Sequence, residues 1–394
     1  MIDRDALRAG LETAGADAWL LFDFRGVNPV AARVLGLHGM STRRLFALFP
    51  KEGEPVAVAH RIELQSFEAF PGTVVPYSRW EELHEALRSI VAGRTLAMEI
   101  SPEDAVPYLD RVPHGIVELL TRLGARIVPS GPLVTTFAAR WSDEERAGHV
   151  AAAEALAEIA RSALAIAVRE GGTGLSETAL QRRVIDAIHA RGLVFDHPPI
   201  VAFGPNAANP HYEPVEGPDA RLEPNQVVLI DLWAGSALGT VFADQTWMGF
   251  SGENPPDRVL KVWETVRAAR EAACRLVQER VRSGEPVAGF EGDRAARGVI
   301  EAAGFGAYFV HRTGHSIDRD LHGSGPHLDD YETHDDRRLI PGVGFSVEPG
   351  IYLPGEFGVR SEVNMYWGEA GAVVTPAEPQ VTLITPLSKV PGAR

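Results

Sequence analysis

At 394 residues the chain is long enough for two domains with sizeable cores. A formal net charge of −15, with no basic block anywhere, argues against nucleic acid as a partner. The single cysteine, Cys274, excludes disulfides and cysteine-based metal sites and, inside the helical run REAACRLVQERV, reads as an inert core thiol.

The N-terminus, MIDRDALRAGLETAG, is an acid-bearing amphipathic helix, not a secretion signal. No apolar run approaches the roughly 20 residues that span a bilayer. A soluble, cytoplasmic protein without a membrane partner is expected. Residues 1–134 alternate helical and strand patterns: helices near Asp3–Thr13, Glu81–Val91 and Ile116–Leu123, and strands at 18–22, 45–49, 55–59, 95–99 and 126–128. That pattern predicts an α/β domain of mixed sheet with covering helices. Its histidines, His38, His60, His84 and His114, are scattered and read as surface or packing residues.

PSGPLV at Pro129–Val134 reads as a turn-rich boundary. Ser142 followed by Glu145 is a capping box. It opens a helix towards Arg169 with Leu156, Ile159, Ala163 and Ile166 on its buried face. Ser176 caps a second helix through Leu180, Val184 and Ile188 to Arg191, and a short strand at Pro198–Phe203 runs into the loop GPNAANPHYEP. VVLIDLWAGSALGTVFADQTWMGF reads as a hairpin turning between Ala237 and Leu238, which sets Asp231 opposite Asp244. Helices at Pro255–Arg282 and Gly289–Ala303 lead to YFVHRTGHSIDRDLHGSGPHLDD, dense in His and Gly. FSVEPGIYLPGEFGVRSEVNMY reads as a second hairpin centred on Gly355, which sets Glu348 opposite Glu362. A last strand near Val381–Ile384 closes a plan of helices and strand pairs used twice.

Like charges facing each other across a hairpin are destabilising unless something positive lies between them. Two mirrored acid pairs converging on one place call for about four positive charges, hence two divalent cations. Such a site adds one or more imidazoles, and the candidates are His311, His315, His322 and His327.

The order Asp, Asp, His, Glu, Glu resembles the metallopeptidases of the pita-bread fold, which include methionine aminopeptidase, aminopeptidase P and Xaa-Pro dipeptidase (prolidase). The resemblance rests on Thr313-Gly314-His315, on His322 seven residues later, on Glu348-Pro-Gly-Ile-Tyr352, and on Arg360-Ser-Glu362. It implies an α+β fold: a pita-bread catalytic domain over 142–394, with two αββ-type halves around a curved antiparallel sheet. The smaller α/β domain at 1–134 resembles that of the prolidase, aminopeptidase P and creatinase branch. Three departures stand out. The two Asp lie two residues further apart than is usual, within Ala234–Gly239. Ser316-Ile-Asp-Arg-Asp320 replaces the usual run of small residues, and Gly323 follows His322 where an acid is common.

The resemblance implies that Asp231, Asp244, His315, Glu348 and Glu362 hold two divalent metal ions, Mn²⁺ first, with Co²⁺, Zn²⁺ or Fe²⁺ as alternatives. A metal-bridging hydroxide then attacks the bond before proline in a di- or oligopeptide, with Glu348 as proton shuttle. His322 and His211 are expected on the substrate side, His311 against a carboxylate end, and Arg360 orienting substrate or a ligand carboxylate. A homodimer is implied by the same likeness. The activity expected is that of an Xaa-Pro dipeptidase. The alternatives are an aminopeptidase P acting on longer peptides, and a metal-free peptide-binding member of the fold. A metal-free creatinase-type enzyme would lack this carboxylate set. No Gly-x-Ser-x-Gly elbow, His-Glu-x-x-His motif, P-loop or Gly-x-Gly-x-x-Gly fingerprint occurs.

Overall fold

Strand β1 (Ala18–Phe24), AWLLFDF, is apolar almost throughout because both of its faces are buried. Leu20 and Phe22 pack into a cluster with Phe46, Leu83 and Leu120; Trp19 and Leu21 pack the other way, against Leu11, Phe49 and Leu133. In the computed structural model, which describes residues 2–37, 41–217 and 219–389, β1 is central to a six-stranded mixed sheet. With β2 (Arg44–Pro50), β3 (Val56–His60), β4 (Thr73–Tyr77), β5 (Thr95–Met98) and β6 (Arg126–Pro129), the order is β4-β3-β2-β1-β5-β6. Helices α1 (Arg4–Ala14), α2 (Pro29–Leu35), α3 (Trp80–Val91), α4 (His114–Arg122) and α5 (Gly131–Phe137) accompany it. These elements belong to one compact unit, Met1–Arg140; a second runs from Trp141 to Arg394.

The turn-rich stretch at Pro129–Val134 finishes β6 and enters α5 instead of ending the unit. Pro132 sits in the first turn of α5, where its fixed φ favours a helix start, and Leu133 and Val134 are fully buried. His60 packs edge-on against Tyr77, and His84 against Trp80; His38 lies outside the described residues.

In the second unit, Ser142 caps α6 (Asp143–Ala167): Ser142 Oγ accepts from Glu145 N at 3.2 Å and a Glu145 carboxylate oxygen accepts from Ser142 N at 2.8 Å. Ile166 leaves the expected buried face and is 41% exposed. It lines a shallow groove with Ile159, Ala163 and Leu180 of α7 (Glu177–Ala190). Next come β7 (Ile200–Phe203), β8 (Val227–Ala234) and β9 (Ala243–Phe250) in one three-stranded sheet. The plan then recurs: α8 (Asp257–Ser283) and α9 (Gly289–Ala302) precede β10 (Ser316–Ile317), β11 (Gly344–Val347), β12 (Gly350–Leu353), β13 (Phe357–Arg360), β14 (Val363–Gly368) and β15 (Gly371–Thr375). These form a sheet in the order β10-β11-β14-β15 and a β12-β13 pair. The strand expected at Val381–Ile384 is reduced to one parallel bridge, Ile384 with Gly249, and Val381 is 59% exposed. No helix among the described residues is long and apolar enough to cross a membrane.

Candidate metal centre

The Glu hairpin has the expected register. Val347 faces Val363 on one side and Gly350 faces Arg360 on the other, so Glu348 and Glu362 stand across from each other between the two ladders. The Asp hairpin does not. Asp231 faces Thr246, and Asp244 faces Trp233, so the two aspartates sit on one face but diagonally. The turn explains the shift: it runs from Ala237 to Thr240, with Thr240 N bonded to Ala237 O at 3.2 Å. Gly239 takes the left-handed conformation, φ 76°, that an L side chain resists. The hairpin therefore turns about Leu238-Gly239, one residue later than expected. An even offset keeps both side chains on the same face.

The same buried space collects His315, which sits at the end of a close approach. A Cβ on Gly314 would stand 2.0 Å from Ser346 O, so only glycine lets the His315 backbone lie against β11. There Ser346 N donates to His315 O at 2.8 Å, while Ser346 Oγ accepts from His315 N at 2.9 Å and contacts Glu348 Oε1 at 3.0 Å. His315 Nδ1 contacts the carbonyl of Ser316 at 3.1 Å. A carbonyl only accepts, so Nδ1 carries the proton. Burial holds the ring below the ordinary histidine range. Its bare Nε2 then faces Asp244 Oδ2 and Glu348 Oε1, each at 3.4 Å.

Three lone-pair donors aimed at one another repel unless a cation sits between them. Asp244, His315 and Glu362 offer ligand atoms that all lie within 4.8 Å of one another. Glu362 Oε1 is buried and has no hydrogen-bond partner among the described residues. Burial, with repulsion from the neighbouring acids, pushes Asp244 and Glu362 well above the usual carboxylate range, and burial raises Glu348. Divalent cations would reverse that strain, so the donor set fits them.

Asp231 is held differently. Arg360 forms an ion pair with it, with side-chain exposures of 4% and 10%. Arg360 also donates from Nε to Thr246 Oγ1 at 2.9 Å. The Thr246 hydroxyl, with one proton to give, lies 3.1 Å from Asp231 Oδ1 and 2.9 Å from Glu362 Oε2. Asn364 clamps the Asp244 backbone by a pair of hydrogen bonds at 2.9 and 2.8 Å. Tyr352 entered the sequence reading only as the end of the Glu348-Pro-Gly-Ile-Tyr352 segment, without a role, and Thr246 escaped it, although Thr246 lies two residues after Asp244 and so shares its face.

The ring of His322 packs edge-on against His315, centroids 4.3 Å apart. A second positive charge beside the His315 ring is disfavoured, and that repulsion, with partial desolvation of the otherwise exposed side chain, pushes the pKa of His322 well below the usual range. His211 is exposed on the loop after β7. His311 stands further back. Its Nδ1 contacts Arg312 O at 2.7 Å and its Nε2 contacts Tyr352 Oη at 2.8 Å, and that hydroxyl lies 3.3 Å from an Arg360 nitrogen. Both ring nitrogens of His311 thus face protein atoms. His327 accepts from Ser316 N at 3.0 Å through Nδ1.

Residues 146–369 match the family model for metallopeptidase family M24. The chain belongs to that family. The probable dipeptidase PepE of Mycobacterium tuberculosis is 28% identical over 361 residues, covering 90% of this chain and 89% of its own. Among solved structures, a dipeptidase PepE from Mycobacterium ulcerans shares the fold with a TM-score of 0.72 at 24% identity, covering 97% and 96% of the two chains. A prolidase from Thermococcus sibiricus gives 0.66 at 27% identity, covering 98% and 100%. The expected α+β architecture, a pita-bread unit after a smaller α/β unit, is the one this family member has. The protein is a metallopeptidase, and its family implies divalent metal ions at the carboxylate cluster.

Proposed function

We propose that this metallopeptidase is an Xaa-Pro dipeptidase whose two divalent cations are held by Asp231, Asp244, His315, Glu348 and Glu362. Carboxylate oxygens with one imidazole favour Mn²⁺. The observation that carries the reading is the bare Nε2 of His315 facing two carboxylate oxygens at 3.4 Å. The similarity to a probable dipeptidase over nine-tenths of the chain supports the substrate class. When bound, such ions acidify water and polarise the scissile carbonyl.

The side chains supply the rest. Glu348, partly exposed beside His315, takes a proton from the attacking water and returns it to the departing proline nitrogen. Neutral His322, on the open side of His315, donates a hydrogen bond to the oxygen that gains charge as the carbonyl is attacked. His211 meets the substrate from the loop after β7. Arg360 holds Asp231 in place, and the Tyr352–His311 pair stands behind Arg360. A homodimer is part of the proposal and is read by light scattering.

The test compares an Xaa-Pro dipeptide with an Xaa-Pro-Xaa tripeptide, after chelation and with Mn²⁺ restored. Mn²⁺-dependent cleavage of the dipeptide alone is expected. Release of the first residue from the tripeptide would make the enzyme an aminopeptidase P. No cleavage of either, with no metal in the purified protein, would leave a peptide-binding module.

A further inference from the structure

The loop bearing His211 is tied down by a residue outside the carboxylate cluster. Glu177, the first residue of α7, is fully buried. Its Oε1 accepts from Phe203 N at 2.7 Å and Asn206 Nδ2 at 3.0 Å. Its Oε2 lies 3.2 Å from the same Asn206 nitrogen and accepts from the hydroxyl of Tyr212 at 2.6 Å. A buried carboxylate is costly unless it accepts hydrogen bonds. Those it accepts here come from the start, the middle and the end of one loop, and Tyr212 directly follows His211.

The other side of the loop is fastened to the site itself. Arg360 donates to Pro210 O at 3.1 Å, and Asn209 Oδ1 accepts from His211 N at 3.2 Å. Ala207 O lies only 1.9 Å from where a Cβ on Gly358 would stand, so the loop rests on β13. Beyond Tyr212, Asp219 returns to the same helix turn and accepts from Thr178 N at 3.1 Å and from Thr178 Oγ1 at 2.5 Å. His211 is thus fastened through Arg360 on one side and Glu177 on the other.

We propose that Glu177 is a positioning residue of the peptidase site, which acts through Tyr212 to fix where His211 stands against substrate. This deepens the dipeptidase reading and rests on it only in taking His211 as a substrate-side group. Misplacing a substrate-positioning group by about 1 Å costs as much as 100-fold in rate.

The test uses the Mn²⁺-loaded enzyme and an Xaa-Pro dipeptide. Tyr212→Phe, which removes one hydroxyl, should lower kcat/KM about tenfold with bound metal unchanged. In a His211→Ala background the same change should cost less than about twofold, because residues acting as a unit are not additive. A full tenfold cost in that background, or no cost in the wild type, overturns the proposal. Histidine-selective NMR supplies a readout independent of turnover. Tyr212→Phe and Glu177→Gln should each shift the His211 imidazole signal, identified by its loss in His211→Ala, and leave that of buried His149 in place. An unmoved His211 signal in either variant overturns the assignment even if the wild type cleaves no peptide. Inactivity of the wild type alone counts only against the dipeptidase reading.

Discussion

Arg360 and Asp231 form an ion pair inside the carboxylate cluster, and the same guanidinium reaches Thr246 and the carbonyl of Pro210. Removing one partner of a buried pair costs about 3–5 kcal/mol, because the other charge is left stranded. Cations in the cluster would offset much of that stranded charge. Arg360→Gln should therefore melt far below the wild type after chelation, and Mn²⁺ should raise its melting temperature more than it raises that of the wild type. Equal losses with and without Mn²⁺ would count against the pair as the compensator of Asp231.

Glu362 presents one buried oxygen without a partner and another to Thr246. Glu362→Gln keeps the volume but halves the acceptor capacity aimed at Asp244 and His315. The expected result is roughly a 100-fold or greater loss of metal affinity, at or beyond what outer-sphere changes cost, with peptidase activity falling in step. Metal content after dialysis reads it directly. Retention of the full wild-type metal content would remove Glu362 from the ligand set.

His149, in α6, is fully buried. Its Nδ1 meets Phe242 O at 3.0 Å and its Nε2 meets Thr375 Oγ1 at 2.8 Å. Burial pushes its pKa down to about 4. Between the ordinary value and that one, the unfolded chain binds a proton that the folded chain refuses. Stability contributed by the neutral ring is complete above the unfolded pKa and drains away as pH falls towards the folded one, by up to about 3 kcal/mol. The stability advantage of the wild type over His149→Gln should shrink as pH is lowered from 6.5 to 4. Parallel denaturation curves across that window would contradict the assignment.

Two of the sequence departures compensate each other. A Cβ on Gly323 would lie 2.8 Å from the Asp318 carboxylate. That carboxylate accepts from Asp320 N at 2.9 Å and Ser324 N at 2.8 Å. Gly323→Ala should cost about 1–3 kcal/mol through overpacking and should disturb the adjacent His322. Adding Asp318→Gly should recover part of the loss. Strict additivity in a double-mutant cycle would show the two positions to be independent.

What the sequence carried most clearly were patterns with a fixed period. The Glu hairpin was legible because Pro354-Gly355-Glu356 leaves one centre for the turn. The Asp hairpin was centred between Ala237 and Leu238 only by setting its two acids opposite each other, with no turn residue marking that centre; the backbone turned one residue later, where Gly239 takes a positive φ. Helix α5 hid behind Ser130-Gly131-Pro132, which reads equally as a turn and as a helix start. Ile166 fell at the margin of an alanine-rich stripe, where small residues blur the edge of the buried face. Glu177 was invisible for another reason. An acid in the first turn of a helix is ordinarily explained by the helix dipole, and its partners lie more than 25 residues away.

The only thiol in the chain is Cys274, buried in α8, with burial pushing its pKa up to about 12. A thiol so seldom ionised, and so poorly reached by solvent, does not compete for alkylating reagents at neutral pH. The wild-type background should therefore be silent to maleimide dyes, which a labelling control on the unmodified protein checks. One cysteine introduced at exposed Val215, between the Tyr212 and Asp219 anchors, would take up a single fluorophore without any prior removal of native thiols. The arc that carries His211 could then be followed in real time as peptide binds.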